Sequence, residues 1–146
     1  MELDKDFKEF LFLLNKHKVE YLVVGGYAVT FHGYPRYTGD LDVWVNKTSE
    51  NGLNLINAIQ EFGYETDELQ QKDFENQILS FYLGVSPIQL NIVNQISGVK
   101  FKDCFDNKNQ LEIEKIKINY ISKTDLIKNK KASGRHRDLD DVENLE

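Results

Sequence analysis

Asp40 and Asp42, separated by one leucine in Asp40-Leu41-Asp42-Val43-Trp44-Val45, are the side chains of this sequence whose type and spacing point most directly to chemistry. Residues at i and i+2 of an extended segment point the same way, so both carboxylates share one face and can share a cation. Two neighbouring anions are unfavourable without a counter-charge, so a metal or a base is expected beside them. Mg²⁺ (or Mn²⁺) is the natural choice, because such a cation takes carboxylate oxygens together with substrate phosphate oxygens. The plainer explanation of the same pair is the solvated end of a strand.

Upstream, Gly25-Gly26-Tyr27-Ala28 sets a glycine pair between an apolar run and a short helix. Glycines there let backbone N–H groups approach an anion, and a helix start adds a favourable dipole. A tight strand-to-helix turn would use the same residues. Between the glycines and the aspartates runs Gly33-Tyr34-Pro35-Arg36-Tyr37-Thr38-Gly39. Arg36 can grip phosphate with a bidentate fork or neutralise Asp40 and Asp42, and Thr38 can donate a hydrogen bond to either. The alternative for Arg36 is a loop arginine in solvent.

These residues need elements to hold them. Leu3, Phe7, Phe10, Leu11 and Leu14 recur at helical spacing, which predicts an amphipathic helix over 3–17. Tyr21-Leu22-Val23-Val24 reads as a buried strand stopped by the glycine pair, with a short helix from Tyr27 to Phe31. Leu41, Val43 and Val45 alternate with Asp40, Asp42 and Trp44, a strand with one core face. Ser49 is a cap for a helix carrying Leu53, Ile56, Ile59 and Phe62 and closed by Gly63. Residues 64–76 read as loop. Gln77–Leu83 and Ile88–Val93 form a strand pair turning near 84–87, Gln110–Ile121 holds one or two more strands, and two short helices follow, separated at Gly134. The order is α+β, a mixed sheet flanked by helices.

With 146 residues, 40% hydrophobic and 29% charged, the chain has the composition of one globular domain, 1–146, whose residues 122–146 form a helical C-terminal segment. No apolar run approaches the ~20 residues of a membrane span, so no membrane partner and a cytoplasmic location are expected. Cys104 is the single cysteine and is expected to be inert. The net charge of −6 argues against a polyanion spread over much of the surface. Yet Lys123 to Arg137 carries six Lys/Arg against one acid, Asp125. One local basic segment suits a small polyphosphate, or one end of an RNA, better than a duplex.

Taken together, Gly25-Gly26-x-Ala28 and Gly33-x-x-Arg36-x-Thr38-x-Asp40-x-Asp42 resemble the active-site signature of the nucleotidyltransferase superfamily. The resemblance is strongest to its small bacterial members: abortive-infection toxins, minimal nucleotidyltransferases of toxin–antitoxin pairs, and lincosamide and aminoglycoside adenylyltransferases. Leu126-Ile127-x-x-Lys130-x-Ala132-x-Gly134-Arg135-x-Arg137-Asp138-Leu139-x-Asp141 is similar to the helical tail of that group. The resemblance implies the polymerase-beta-like fold and a nucleoside triphosphate substrate. It also implies Asp40 and Asp42 as catalytic metal ligands and Gly25 and Gly26 as the phosphate loop. Lys130 would offset triphosphate charge, while Arg135 and Asp138 would pair across the tail helices. Small members often dimerise.

One departure matters. Where many members carry a third carboxylate, Leu90-Asn91-Ile92 offers the amide Asn91, which can coordinate through oxygen but cannot usefully accept a proton. Asp73 or Glu75 would then be the substitutes to look for. The expected function is metal-dependent transfer of a nucleoside monophosphate from a triphosphate to a hydroxyl on an RNA end, a protein side chain or a small molecule. The competing expectation is a degenerate nucleotide- or partner-binding module of a toxin–antitoxin type system. Tyr27, Phe31, Tyr34, Tyr37 and Trp44 crowd the site, as base-stacking surfaces or as core, and His32 is the histidine nearest to it.

Overall fold

The computed structural model describes residues 3–67, 69–85 and 87–146. Helix α1 (Lys5–Lys16) starts where the Asp4 side chain accepts a hydrogen bond from the backbone N–H of Asp6, and it buries Phe7, Phe10, Leu11 and Leu14. Strand β1 (Tyr21–Val24) is buried at all four positions. Helix α2 (Gly25–Phe31) follows with no intervening loop, so the glycine pair is itself the first turn of the helix. Gly25 makes that corner at φ +66°, a left-handed conformation that glycine adopts without a Cβ penalty.

Strand β2 (Leu41–Val45) is the centre of the architecture. It pairs antiparallel with β1, placing Val24 opposite Asp42, and parallel with β4 (Ile88–Val93), placing Asn91 opposite Asp42. Strand β3 (Ser80–Val85) forms the outer antiparallel partner of β4. On the other side β6 (Ile116–Tyr120) runs parallel to β1, and β5 (Asn109–Ile113) closes a hairpin with it. Glu114 and Lys115, at φ 50° and 69°, make the hairpin turn. The result is one mixed six-stranded sheet, ordered β3-β4-β2-β1-β6-β5.

Several details depart from the local reading. Helix α3 (Ser49–Phe62) is capped by Thr48, whose hydroxyl accepts from the Asn51 N–H, and not by Ser49. Leu53 lies on its exposed side, while Leu55 and Ile59 are fully buried. The 64–76 segment contains a one-turn helix, α4 (Asp73–Asn76), pinned by the buried Phe74 ring. Helix α5 (Phe101–Asp106), absent from the sequence reading, lays Phe101 edge-on against Trp44 with ring centroids 5.1 Å apart. Trp44 therefore shares a face with Asp42 yet is buried, because α5 covers that face beyond the carboxylate. Helices α6 (Lys123–Ser133) and α7 (His136–Leu145) pack on one another around Gly134, at φ 69°.

Candidate functional site

The aspartate pair forms one wall of a cavity of about 700 Å³. Alternation along β2 aims Asp42 away from the core positions Leu41 and Val43, and Asp40 stands just before the strand on the same side. The α2 corner closes over this wall: a Cβ on Gly25 would collide with the Asp42 carboxylate Oδ2, and one on Gly26 with the Thr38 hydroxyl. Both positions require glycine for close approach, and Gly25 requires it for its backbone angle as well. Gly25, Gly26, Thr38, Asp40, Asp42 and Asn91 thus meet in one cavity, with Arg36 and Lys130 also on its wall.

The electrostatics at Asp42 are unbalanced. Burial raises its carboxyl above the usual range; the hydrogen bond from Asn91 Nδ2 to Oδ1, at 3.0 Å, opposes that shift, Asp40 adds to it, and the positive charges of Lys130 and Arg135 oppose it. Asn91 turns its donor toward Asp42, which leaves its own Oδ1 buried without a hydrogen-bond partner. An orphaned acceptor beside two carboxylates is a donor set that fits a hard divalent cation. Among the described residues no group of three or more His, Cys, Asp or Glu is placed to hold a metal, so a cation here would rest on two carboxylates, an amide and oxygens of its substrate.

The cationic side chains divide into two groups. Arg36 directs its fork at Asp141, with Nε and Nη2 donating to Oδ1 and Oδ2 at 2.9 and 3.0 Å, and Nη1 donating to the Tyr37 carbonyl. Asp141 is 0% exposed. Lys130, also buried, lies 3.0 Å from Asp141 and 3.1 Å from Asp138. Both cations are held in an ion cluster joining the 33–39 loop to α6 and α7. Asp138 completes it, accepting from Ser133 and Arg135. Burial alone would raise the Asp138 carboxyl, but hydrogen bonds from Ser133, Arg135 and Lys130 hold it at about 2. Arg135 and Arg137 form an exposed cationic rim on the cavity.

Other candidates fall away from the cavity. Asp73 and Glu75 sit on α4, and none of the described residues of 64–76 lines the cavity, so they do not replace a third carboxylate. His32 is tied to the Ile121 carbonyl through Nε2 at 2.7 Å, and burial lowers its pKa. Cys104 is buried, and that burial, with Asp125 beside it, pushes its thiol up to about 12. Phe31 stacks on Tyr120 at 4.1 Å as core, whereas Tyr37, 81% exposed, and Tyr82, 56% exposed, line the cavity. Tyr82, Ser97 and Asn129 carry no sequence signal of their own; Arg137 was visible only as part of the basic tail.

The mixed six-stranded sheet flanked by helices matches the fold of solved nucleotidyltransferase structures. One is a Thermotoga maritima protein classed as a nucleotidyltransferase (TM1012), at 19% identity and a TM-score of 0.59, covering 95% of this chain and 87% of that one. Another is the lincosamide antibiotic adenylyltransferase LnuA with lincomycin bound, at 19% identity and a TM-score of 0.57, covering 98% of this chain and 96% of that one. At such identity the likeness establishes the fold. No curated protein matches the sequence. The chain belongs to the family described as nucleotidyltransferase of unknown function (DUF6036), which it matches over residues 1–146. Transfer of a nucleoside monophosphate from a triphosphate is the general activity of that class. Among the described residues no helix is long and apolar enough to cross a membrane.

Proposed function

We propose that this protein transfers a nucleoside monophosphate from a triphosphate to a hydroxyl acceptor in the Asp40–Asp42 cavity. The observation that carries the reading is the under-compensated Asp42 carboxylate, paired with Asp40, facing a corner that admits no Cβ at Gly25. Asp40 and Asp42, with the Asn91 Oδ1, would hold a divalent cation; when bound it supplies neutralisation of triphosphate charge. Arg135 and Arg137 on the rim provide further positive charge, and Thr38 provides a hydroxyl beside Gly26. Lys130 and Arg36 act from behind, holding the wall through Asp141 while Lys130 lends its field to Asp42.

In the transfer itself the acceptor oxygen forms a bond to the α-phosphorus, and the α–β bridging oxygen leaves with its electron pair on pyrophosphate. The hydroxyl proton passes to the aspartate pair, because Asn91 offers an amide that takes none. Positioning and charge neutralisation supply most of the rate.

The test is thermal unfolding of wild type and Asp42→Ala with each of the four common triphosphates, with and without Mg²⁺ or Mn²⁺. Ligand at ~100 times its dissociation constant adds about 2.7 kcal/mol. A metal-dependent shift confined to wild type is expected; no shift with any triphosphate sinks the reading. A second reading, a nucleotide- or partner-binding module without transfer, is favoured by one feature: Asn91 stands opposite Asp42 and donates to it. Transfer to a hydroxyl substrate that is as fast in wild type as in Asn91→Asp would dispose of it.

A further inference from the structure

A second cavity, of about 560 Å³, opens beside the first, and Ile96 lines both. Its floor is Trp44, two residues beyond Asp42 on the same face of β2. Two residues of strand span about 7 Å. The partition between the cavities is the 94–100 segment, and that segment is built into the fold. Gly98, at φ 79°, packs so closely on Ala132 of α6 that a Cβ there would collide, and Asn129 donates to the Ser97 carbonyl at 3.0 Å. Asn94 anchors its start, donating to the Phe74 and Gln77 carbonyls.

The two cavities differ in charge. The first is mixed, with Asp40, Asp42 and Asp138 beside Arg36, Lys130, Arg135 and Arg137. The second is lined by Lys47, Lys100 and Lys102, with amides at Asn46 and Gln95, and by no acid. Among the described residues none of the three makes an ion pair, as is true of most lysines of the chain, but these three converge on one cavity. Lys100 and Lys102 are exposed and Lys47 is half-buried, so the cavity presents three cationic ends to an incoming anion.

We propose that this second cavity is an anion subsite that takes a phosphate of the acceptor while the acceptor's hydroxyl lies against the Asp40–Asp42 wall. The proposal rests on the transfer reading above and names the acceptor class: a hydroxyl compound carrying a phosphate ester near the hydroxyl that is modified. A nucleic-acid strand end and a phosphorylated small molecule share that chemistry. The Asp40–Asp42 cavity holds its four cations beside three acids, whereas the lysine-lined cavity, which shares Ile96 with it, holds no acid to compete with a phosphate.

The experiment compares the full chain with two charge-matched variants, Lys47→Gln/Lys100→Gln/Lys102→Gln at the cavity and Lys5→Gln/Lys72→Gln/Lys123→Gln elsewhere. Binding of a fluorescein-labelled eight-nucleotide RNA with a free 3′ hydroxyl is followed by anisotropy over a salt series, with AMP as competitor. The thermal shift with triphosphate and Mg²⁺ is measured on all three proteins. The cavity variant is expected to lose about 10-fold or more in affinity, and its salt slope to flatten by about 2, as for three phosphate contacts on a single strand. The control variant should lose far less, and the triphosphate shift should persist in both. RNA binding that AMP does not displace would identify a strand end; displacement by AMP would identify a small phosphorylated acceptor. Equal losses in the two variants, or no binding of either probe to wild type, would overturn the subsite. Absence of the triphosphate shift in wild type would instead overturn the transfer reading, independently of the anisotropy result.

Discussion

Asp42 and Asp138 line the same cavity, and their carboxyls shift in opposite directions. Asp138 is surrounded by donors, Lys130, Arg135 and Ser133, which overcome its burial and hold it at about 2. Asp42 has one neutral donor, Asn91, and an acid for a neighbour, so burial prevails and its carboxyl rises. The difference separates two uses of a buried charge. The tail cluster of Arg36, Lys130, Asp138 and Asp141 is satisfied within the protein and ties distant segments together. The β2 wall is left short of positive charge, the condition under which a cation or a polyphosphate bound with one adds most.

The comparison breaks first at Asp141. Replacing it with alanine removes the carboxylate partner of Arg36 and one of the two partners of Lys130, and the expected cost is about 3–5 kcal/mol, the usual penalty for breaking a buried ion pair. Urea unfolding measures it; a loss under about 1 kcal/mol would mean the cluster is better solvated than its burial indicates. The same comparison sharpens at Asp42. Asp42→Asn keeps shape and removes the charge, so transfer should fall by about 10² or more in initial-rate assays. Because the folded-state pKa of Asp42 is raised, its ionised form costs stability at neutral pH, and the asparagine variant should melt no lower than wild type without ligand. Retained transfer would remove Asp42 from the chemistry.

The smallest expected effect is in acid. The Asp138 carboxyl lies below its unfolded value, so its stabilisation is complete above about pH 4 and lost as pH falls toward 2, amounting to about 2 kcal/mol. Stability measured from pH 5 to 2 in wild type and Asp138→Asn should show that increment only in wild type. Parallel profiles would show that the donors around Asp138 do not favour its ionised form.

Much of this was legible from local pattern. The four-residue apolar run of β1, the alternation of β2, the glycine stops at 63 and 134 and the β3–β4 pairing appear where period and turn chemistry place them, although β3 runs Ser80–Val85 and not 77–83, carrying Gly84 inside the strand. The site was legible where its residues lie close in sequence: Gly25, Gly26, Thr38, Asp40 and Asp42 fall within one stretch of strand, corner and loop. Two kinds of feature were not. Helix α5 is six residues long with only Phe101, Cys104 and Phe105 as apolar positions, too short for a helical period to register. The roles of Arg36 and Lys130 depended on Asp141, which is 105 residues from Arg36.

The sequence by itself determined the elements, the acidic pair on one strand face and the need for glycine next to it. Those follow from backbone stereochemistry and side-chain period, which act over a few residues. Only the tertiary structure decided which charges cancel: that Arg36 meets Asp141, that Asn91 stands opposite Asp42, and that Lys47 joins Lys100 and Lys102 around a cavity free of acids. A charge acts through its distance to other charges and to water, and chain folding sets those distances between residues that sequence spacing leaves far apart.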